Sequence, residues 1–242
     1  MLLANDGRSS SSLQQLTRNH TIFSMKLIAS LMSAMLTTNN RDPSAYLASS
    51  DVIDVDHPKI REMADSLACD DEVETIRRSF EFVRDEVRHS FDHQANPVTC
   101  KASDVVTHLT GYCYAKSHLL AALLRANDIP TGLCYQRLTI ADDGSGPPYC
   151  LHGLNAVYLE DADGGDSYWY RIDPRGLKPG VQVADFTPPS EALAFPIQTP
   201  GEADFPEIYV DPLPMIVDAL ESAETWDEIA KNLPDIDLLT AH

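Results

Sequence analysis

The sequence predicts an α+β fold in which one buried helix lies on an antiparallel sheet. Three observations predict it. Helical periodicity fills the first half of the globular part, strand-like runs fill the second, and an almost pure Leu/Ala run from Leu119 to Leu124 stands between them. Helices followed by strands argue against the strict alternation that a parallel, doubly wound sheet requires.

The elements follow in chain order. Residues 1–41 hold a serine run, Ser9 to Ser12, and the Met-rich patch IFSMKLIASLMSAML over 22–36. They read as a weakly ordered extension, with Met25, Met32 and Met35 as alternative starts. The patch imitates a signal peptide, but Lys26 interrupts it and no small-x-small cleavage site follows. A domain over 42–242 is expected next, with its first clear pattern near Ala45. Helices are expected over 58–68 and 71–89. In the second, Val73, Ile76, Phe80, Val83 and Val87 recur at three- and four-residue spacing and form one apolar face. A loop over 92–100 and a short helix around 102–108 lead to the Leu/Ala helix, for which Thr110 is the expected N-cap. Strands are expected over 133–140, 150–159 and 167–173. The stretches ADDGSGPP (141–148) and EDADGGD (160–166) read as a loop and a hairpin turn. The last seventy or so residues form a Pro-rich C-terminal extension with one helix at 214–222.

Composition narrows the function classes. The chain carries 37 acidic and 18 basic residues, a net charge of -19, with 25 Asp, 12 Glu and only six Lys. A field of that sign repels nucleic acid and anionic membrane surfaces, so neither is an expected partner. The Asp excess and scarce Lys further suggest adaptation to a high-salt cytoplasm, where self-repulsion is screened. Five cysteines, Cys69, Cys100, Cys113, Cys134 and Cys150, are an odd number without a CxxC pair. This speaks against a disulfide framework or a structural zinc site and fits a reducing cytoplasm. No apolar run is long enough to span a membrane.

One position carries chemistry. GYCYAKSHLLAALLRANDIPTG, residues 111–132, places Cys113 at the mouth of the buried helix. Amides of a first helical turn have no intrahelical partner and the dipole there is positive, which suits a thiolate and an oxyanion alike. A lone cysteine there also reads as a small buried hydrophobe. A nucleophile needs a base, and the base needs an orienting group. His152, in the second strand, and Asp173, ending the third in Asp-Pro-Arg-Gly, come side by side if those strands form a hairpin. Singly, they read as a core histidine and a turn aspartate. His89, His93, Cys100 and His108 match no common metal-ligand spacing. Arg175 reads as structural, His118 as facing a neighbouring element, and Cys134 and Cys150 as packing residues. Tyr112 and Tyr114 are expected to line the cleft.

Three separated motifs, GYCYAKSHLLAALLRANDIPTG, LHGLNAVYL and YRIDPRG, together resemble the transglutaminase-like superfamily over roughly residues 60–177. The resemblance implies a papain-like α+β core and a Cys113–His152–Asp173 triad with no metal or organic cofactor. It departs from the family at Leu154, where an aromatic residue is common, and leaves Gln94 as the candidate second oxyanion donor. The implied activity is thiol-dependent acyl chemistry on a peptide or small amide substrate, with hydrolysis through a thioester favoured. Acyl transfer to a small amine, or a binding module that keeps the fold without turnover, are the alternatives.

Overall fold

The computed structural model describes residues 42–236 except 142–144, 161–165, 177 and 179–181. The expected N-terminal extension, and most of the expected 160–166 turn, lie outside the described residues.

A 3-10 turn at Pro43–Leu47 is followed by helix α1 (Pro58–Leu67), which starts on a proline as a first turn allows, and buries Ile60 and Ala64. Helix α2 (Glu72–Glu81) is capped by Asp71, whose carboxylate accepts from the amides of Val73 and Glu74, and it buries Ile76 and Phe80. The helix expected to reach residue 89 does not. It loosens into a π turn at Phe82–Glu86 and ends before strand β1 (Arg88–His89). The physical reason lies on another element, because the ammonium of Lys116 takes the carbonyls of Val87 at 2.6 Å and Arg84 at 3.3 Å. A short helix α3 (Ser90–His93), helix α4 (Ala102–His108) and strand β2 (Thr110–Gly111) follow. Strands β1 and β2 pair in parallel, with His89 opposite Gly111.

Helix α5 (Cys113–Ala126) is buried from Cys113 to Arg125, and Leu119, Leu120, Leu123 and Leu124 have no exposed surface. Each such side chain contributes about 1.5–3 kcal/mol by leaving water. The helix lies on a four-stranded antiparallel sheet of order β5-β4-β3-β8, built from β3 (Thr131–Thr139), β4 (Tyr149–Leu159), β5 (Tyr168–Ile172) and β8 (Ala203–Asp204). Strands β3 and β4 pair from Thr131↔Val157 to Thr139↔Tyr149, which sets Gln136 opposite His152. Alternation assigns the two faces of β4. Leu151 and Val157 join the main core with α5, whereas Leu154 and Ala156 join a smaller one with Tyr46, Cys134 and Ile208. Asn155 ties the layers together by donating to the carbonyls of Ser117 (2.9 Å) and Gly132 (3.2 Å). At the far end of α5, buried Arg125 donates to the carbonyls of Thr131, Ala48 and Val210.

Beyond β5 the chain forms a two-stranded hairpin, β6 (Asp185–Thr187) and β7 (Ser190–Ala192), then β8 and helices α6 (Pro214–Ser222) and α7 (Trp226–Lys231). Helix α6 occupies the expected 214–222. This is an α+β, papain-like arrangement: a helix on an antiparallel sheet, with the helix N-terminus at the strand end that carries His152.

Candidate active site

Cys113 is the first residue of α5, and Tyr112 is the N-cap without a side-chain hydrogen bond. The expectation that Thr110 caps the helix is corrected here. Thr110 belongs to β2, where its hydroxyl meets Ser90 Oγ and the carbonyl of Arg88, so ladder pairing holds the chain extended until residue 112. The first-turn amides therefore have no side-chain acceptor. The Cys113 carbonyl accepts from Ser117 Oγ at 2.9 Å, and the residue is only 7% exposed.

Strand β4 comes down directly onto this turn. The amide of Gly153 donates to Cys113 Sγ at 3.5 Å. A Cβ at residue 153 would stand 3.0 Å from Tyr114 Cδ1 and 3.1 Å from Tyr114 Cα, so a larger residue requires its neighbours to give by a few tenths of an ångström. Next to it His152, 5% exposed, places Nε2 at 2.9 Å from Asp173 Oδ2, and the Cys113 side chain is close enough to act on its charge. With Nε2 committed to the carboxylate, Nδ1 is the ring atom left for the thiol. Burial works against a charged ring, but the adjacent Asp173 and Cys113 outweigh it and raise His152 to about 10. Asp173 is fully buried and emerges just past Ile172, the last paired residue of β5. Burial pushes its carboxyl up, while His152 and the amides of Ala194 (3.2 Å) and Arg175 (3.1 Å) hold it below its ordinary value.

The three residues singled out in the sequence are thus brought together. Others fall elsewhere. Arg175 forms a buried bidentate pair with Asp92, at 2.8 and 3.2 Å. His118 meets the Cys100 carbonyl at 2.9 Å inside the core, and burial lowers it to about 4. Burial also pushes the thiols of Cys100 and Cys134 up to about 12, as suits packing residues. Tyr114 does not line a cleft; it is fully buried with its hydroxyl on the Leu151 carbonyl. Tyr112 is buried too, donating to the Trp226 carbonyl at 2.5 Å. Gln94 ends α3 with φ 50° and an exposed side chain, so it is not part of the buried group. Leu154 packs in the smaller core with Tyr46, Cys134, Ala156 and Ile208. His89 is half-buried against the Tyr112 ring, and among the described residues no group of three or more His, Cys, Asp or Glu converges as a metal site.

Two contributors carry no local sequence signal. Lys116, three residues after Cys113, is fully buried, and burial together with the Arg175 charge lowers it to about 7. Phe195 turns its ring against His152, with centroids 5.0 Å apart and planes at 79°.

Residues 61–174 match the family model of the transglutaminase-like superfamily. The chain carries a transglutaminase-like core. Three solved structures are similar over part of their length. One is a candidate cysteine protease from Cytophaga hutchinsonii, at 21% identity and TM-score 0.40, covering 54% of this chain and 40% of that one. Another is the periplasmic domain of TgpA from Pseudomonas aeruginosa, at 19% identity and TM-score 0.38, covering 56% and 48%. A third is a TGase, at 14% identity and TM-score 0.37, covering 69% and 41%. The chain thus spans less than half the length of each. No curated protein matches it. Among the described residues no helix is long and apolar enough to cross a membrane.

Proposed function

We propose that the transglutaminase-like core performs thiol-dependent acyl chemistry, hydrolysing an amide or peptide bond through a thioester on Cys113. The observation that carries this reading is the convergence of the three residues: the amide next to His152, that of Gly153, reaches Cys113 Sγ at 3.5 Å, and His152 Nε2 lies 2.9 Å from Asp173 Oδ2. His152 accepts the proton of Cys113, and Asp173 fixes the ring and balances its positive charge. Sulfur attacks the carbonyl carbon, and the electron pair moves to oxygen, where the first-turn amides of α5 meet the developing charge. The imidazolium then gives its proton to the leaving amine as the C–N bond breaks. Water, deprotonated by the same ring, cleaves the thioester and restores the thiol. No step needs a metal or organic cofactor.

The net charge of -19 supports a neutral or cationic peptide or small amide as substrate rather than a polyanion. The five cysteines, none of them in a disulfide, and the Asp-rich composition support a reducing, salt-rich cytoplasm. The test is acylation by a p-nitrophenyl ester in high salt, followed by intact-mass spectrometry. The expected result is one acyl group on Cys113, lost in water and absent from Cys113→Ser. Faster loss in the presence of a small amine, with the amide as product, would reassign the reaction to acyl transfer. No adduct on Cys113 would sink the enzyme reading in favour of a binding module.

A further inference from the structure

The family match ends at residue 174, but the surroundings of His152 and Asp173 do not. Asp173 Oδ2, the oxygen that meets His152, also accepts the amide of Ala194 at 3.2 Å. The next residue, Phe195, sets its ring nearly perpendicular to the imidazole at 5.0 Å. Phe195 is itself gripped from two directions. Its carbonyl accepts from Gln136 Nε2 at 3.2 Å, and Gln136 is the direct cross-strand partner of His152. Its ring lies under the guanidinium of Arg175, 5.5 Å away, which Asp92 holds in place. The preceding stretch is anchored to β5: Tyr170 donates to the Ser190 carbonyl at 2.9 Å, and Arg171 pairs with Glu191 at 2.7 Å.

We propose that Phe195 is a positioning residue for His152, so that the 190–195 stretch, outside the family core, completes the site. This rests on the reading of Cys113, His152 and Asp173 given above. An aromatic wall beside the imidazole stops the ring from swinging off Asp173.

The experiment follows iodoacetamide labelling of Cys113 by peptide mass spectrometry in the full chain at about pH 7, with exposed Cys69 as internal reference. Phe195→Leu keeps the apolar volume and loses the ring; Phe195→Tyr keeps the ring. Labelling of Cys113 is expected to slow roughly two- to tenfold in Phe195→Leu, the range an aromatic pair commands, and to recover in Phe195→Tyr. His152→Ala slows it further, by roughly tenfold or more, and Cys69 is unchanged throughout. If Phe195→Leu labels like the wild type while His152→Ala is slow, the positioning role is wrong and the triad stands. Equal slowing in the Leu and Tyr variants also overturns the role, since the ring would then not matter. If His152→Ala labels like the wild type, it is the triad that fails. Labelling of buried Cys134 reports an opened fold; Phe195→Met then replaces the Leu variant under the same criteria.

Discussion

The helix–sheet core and the chain that follows residue 174 are held together by different means. In the core, α5 buries thirteen consecutive residues and all nine residues of β3 are buried. After residue 174 the strands are two or three residues long, and helices α6 and α7 bury only Ile216, Leu220 and Ile229 between them. The first region is held by long, wholly buried elements, and the second by single buried side chains, such as Phe186, Ile208, Leu213 and Ile216, together with polar contacts such as Arg171 on Glu191 at 2.7 Å and Arg137 on Asp235 at 2.6 Å. The later chain therefore both closes the core and touches the triad.

The largest effect should come from the core. Leu120→Ala, at a site with no exposed surface, is expected to cost about 2–5 kcal/mol in urea unfolding. A smaller but more localised loss is expected from Gly153→Ala. Its Cβ is expected to shift β4 by a few tenths of an ångström from the first turn of α5, at about 1–3 kcal/mol, and Cys113 labelling should fall as His152 moves away. Wild-type labelling in that variant would mean that the close approach is not what joins the two residues.

The core also holds two titrations of opposite sign. Lys116 drops from 10.5 to about 7, so the unfolded chain binds a proton that the folded chain lacks, and this group adds stability as pH rises through that window. His152 rises from 6.5 to about 10, so its contribution is complete below pH 6.5 and is lost as pH climbs towards 10. The two oppose each other between about 7 and 10. Urea midpoints across that range should fall with pH in Lys116→Met and rise with pH in His152→Ala. The same slope in both variants would refute the opposition. The smallest effect belongs to the later chain: Glu191→Gln, losing a part-exposed ion pair, should cost roughly 0–1 kcal/mol. A loss there comparable to that of Leu120→Ala would break the comparison.

What the sequence made legible follows the same division. The Leu/Ala run and the alternation in LHGLNAVYL report burial, a local pattern, and so α5, β3, β4 and β5 lie within one or two residues of expectation. The three candidate residues are tied to such elements: Cys113 opens α5, His152 lies within β4, and Asp173 follows β5. Where a distant group decides, local pattern misleads. Helix α2 stops early because Lys116 claims the Arg84 and Val87 carbonyls, and Thr110 is drawn into a ladder with β1. Phe195 left no trace at all, since an aromatic residue in a Pro-rich tail is ordinary until its partner is known.

Asp173 draws one of its donors from the main chain of Ala194. A peptide amide is common to nineteen of the twenty residue types, so this contact is written in the path of the chain and in no letter of the sequence. Drift at position 194 leaves the donor in place, limited only by the room around a buried methyl group, and proline alone deletes it. Two relatives could therefore share this support for the carboxylate while an alignment of their sequences showed nothing preserved there.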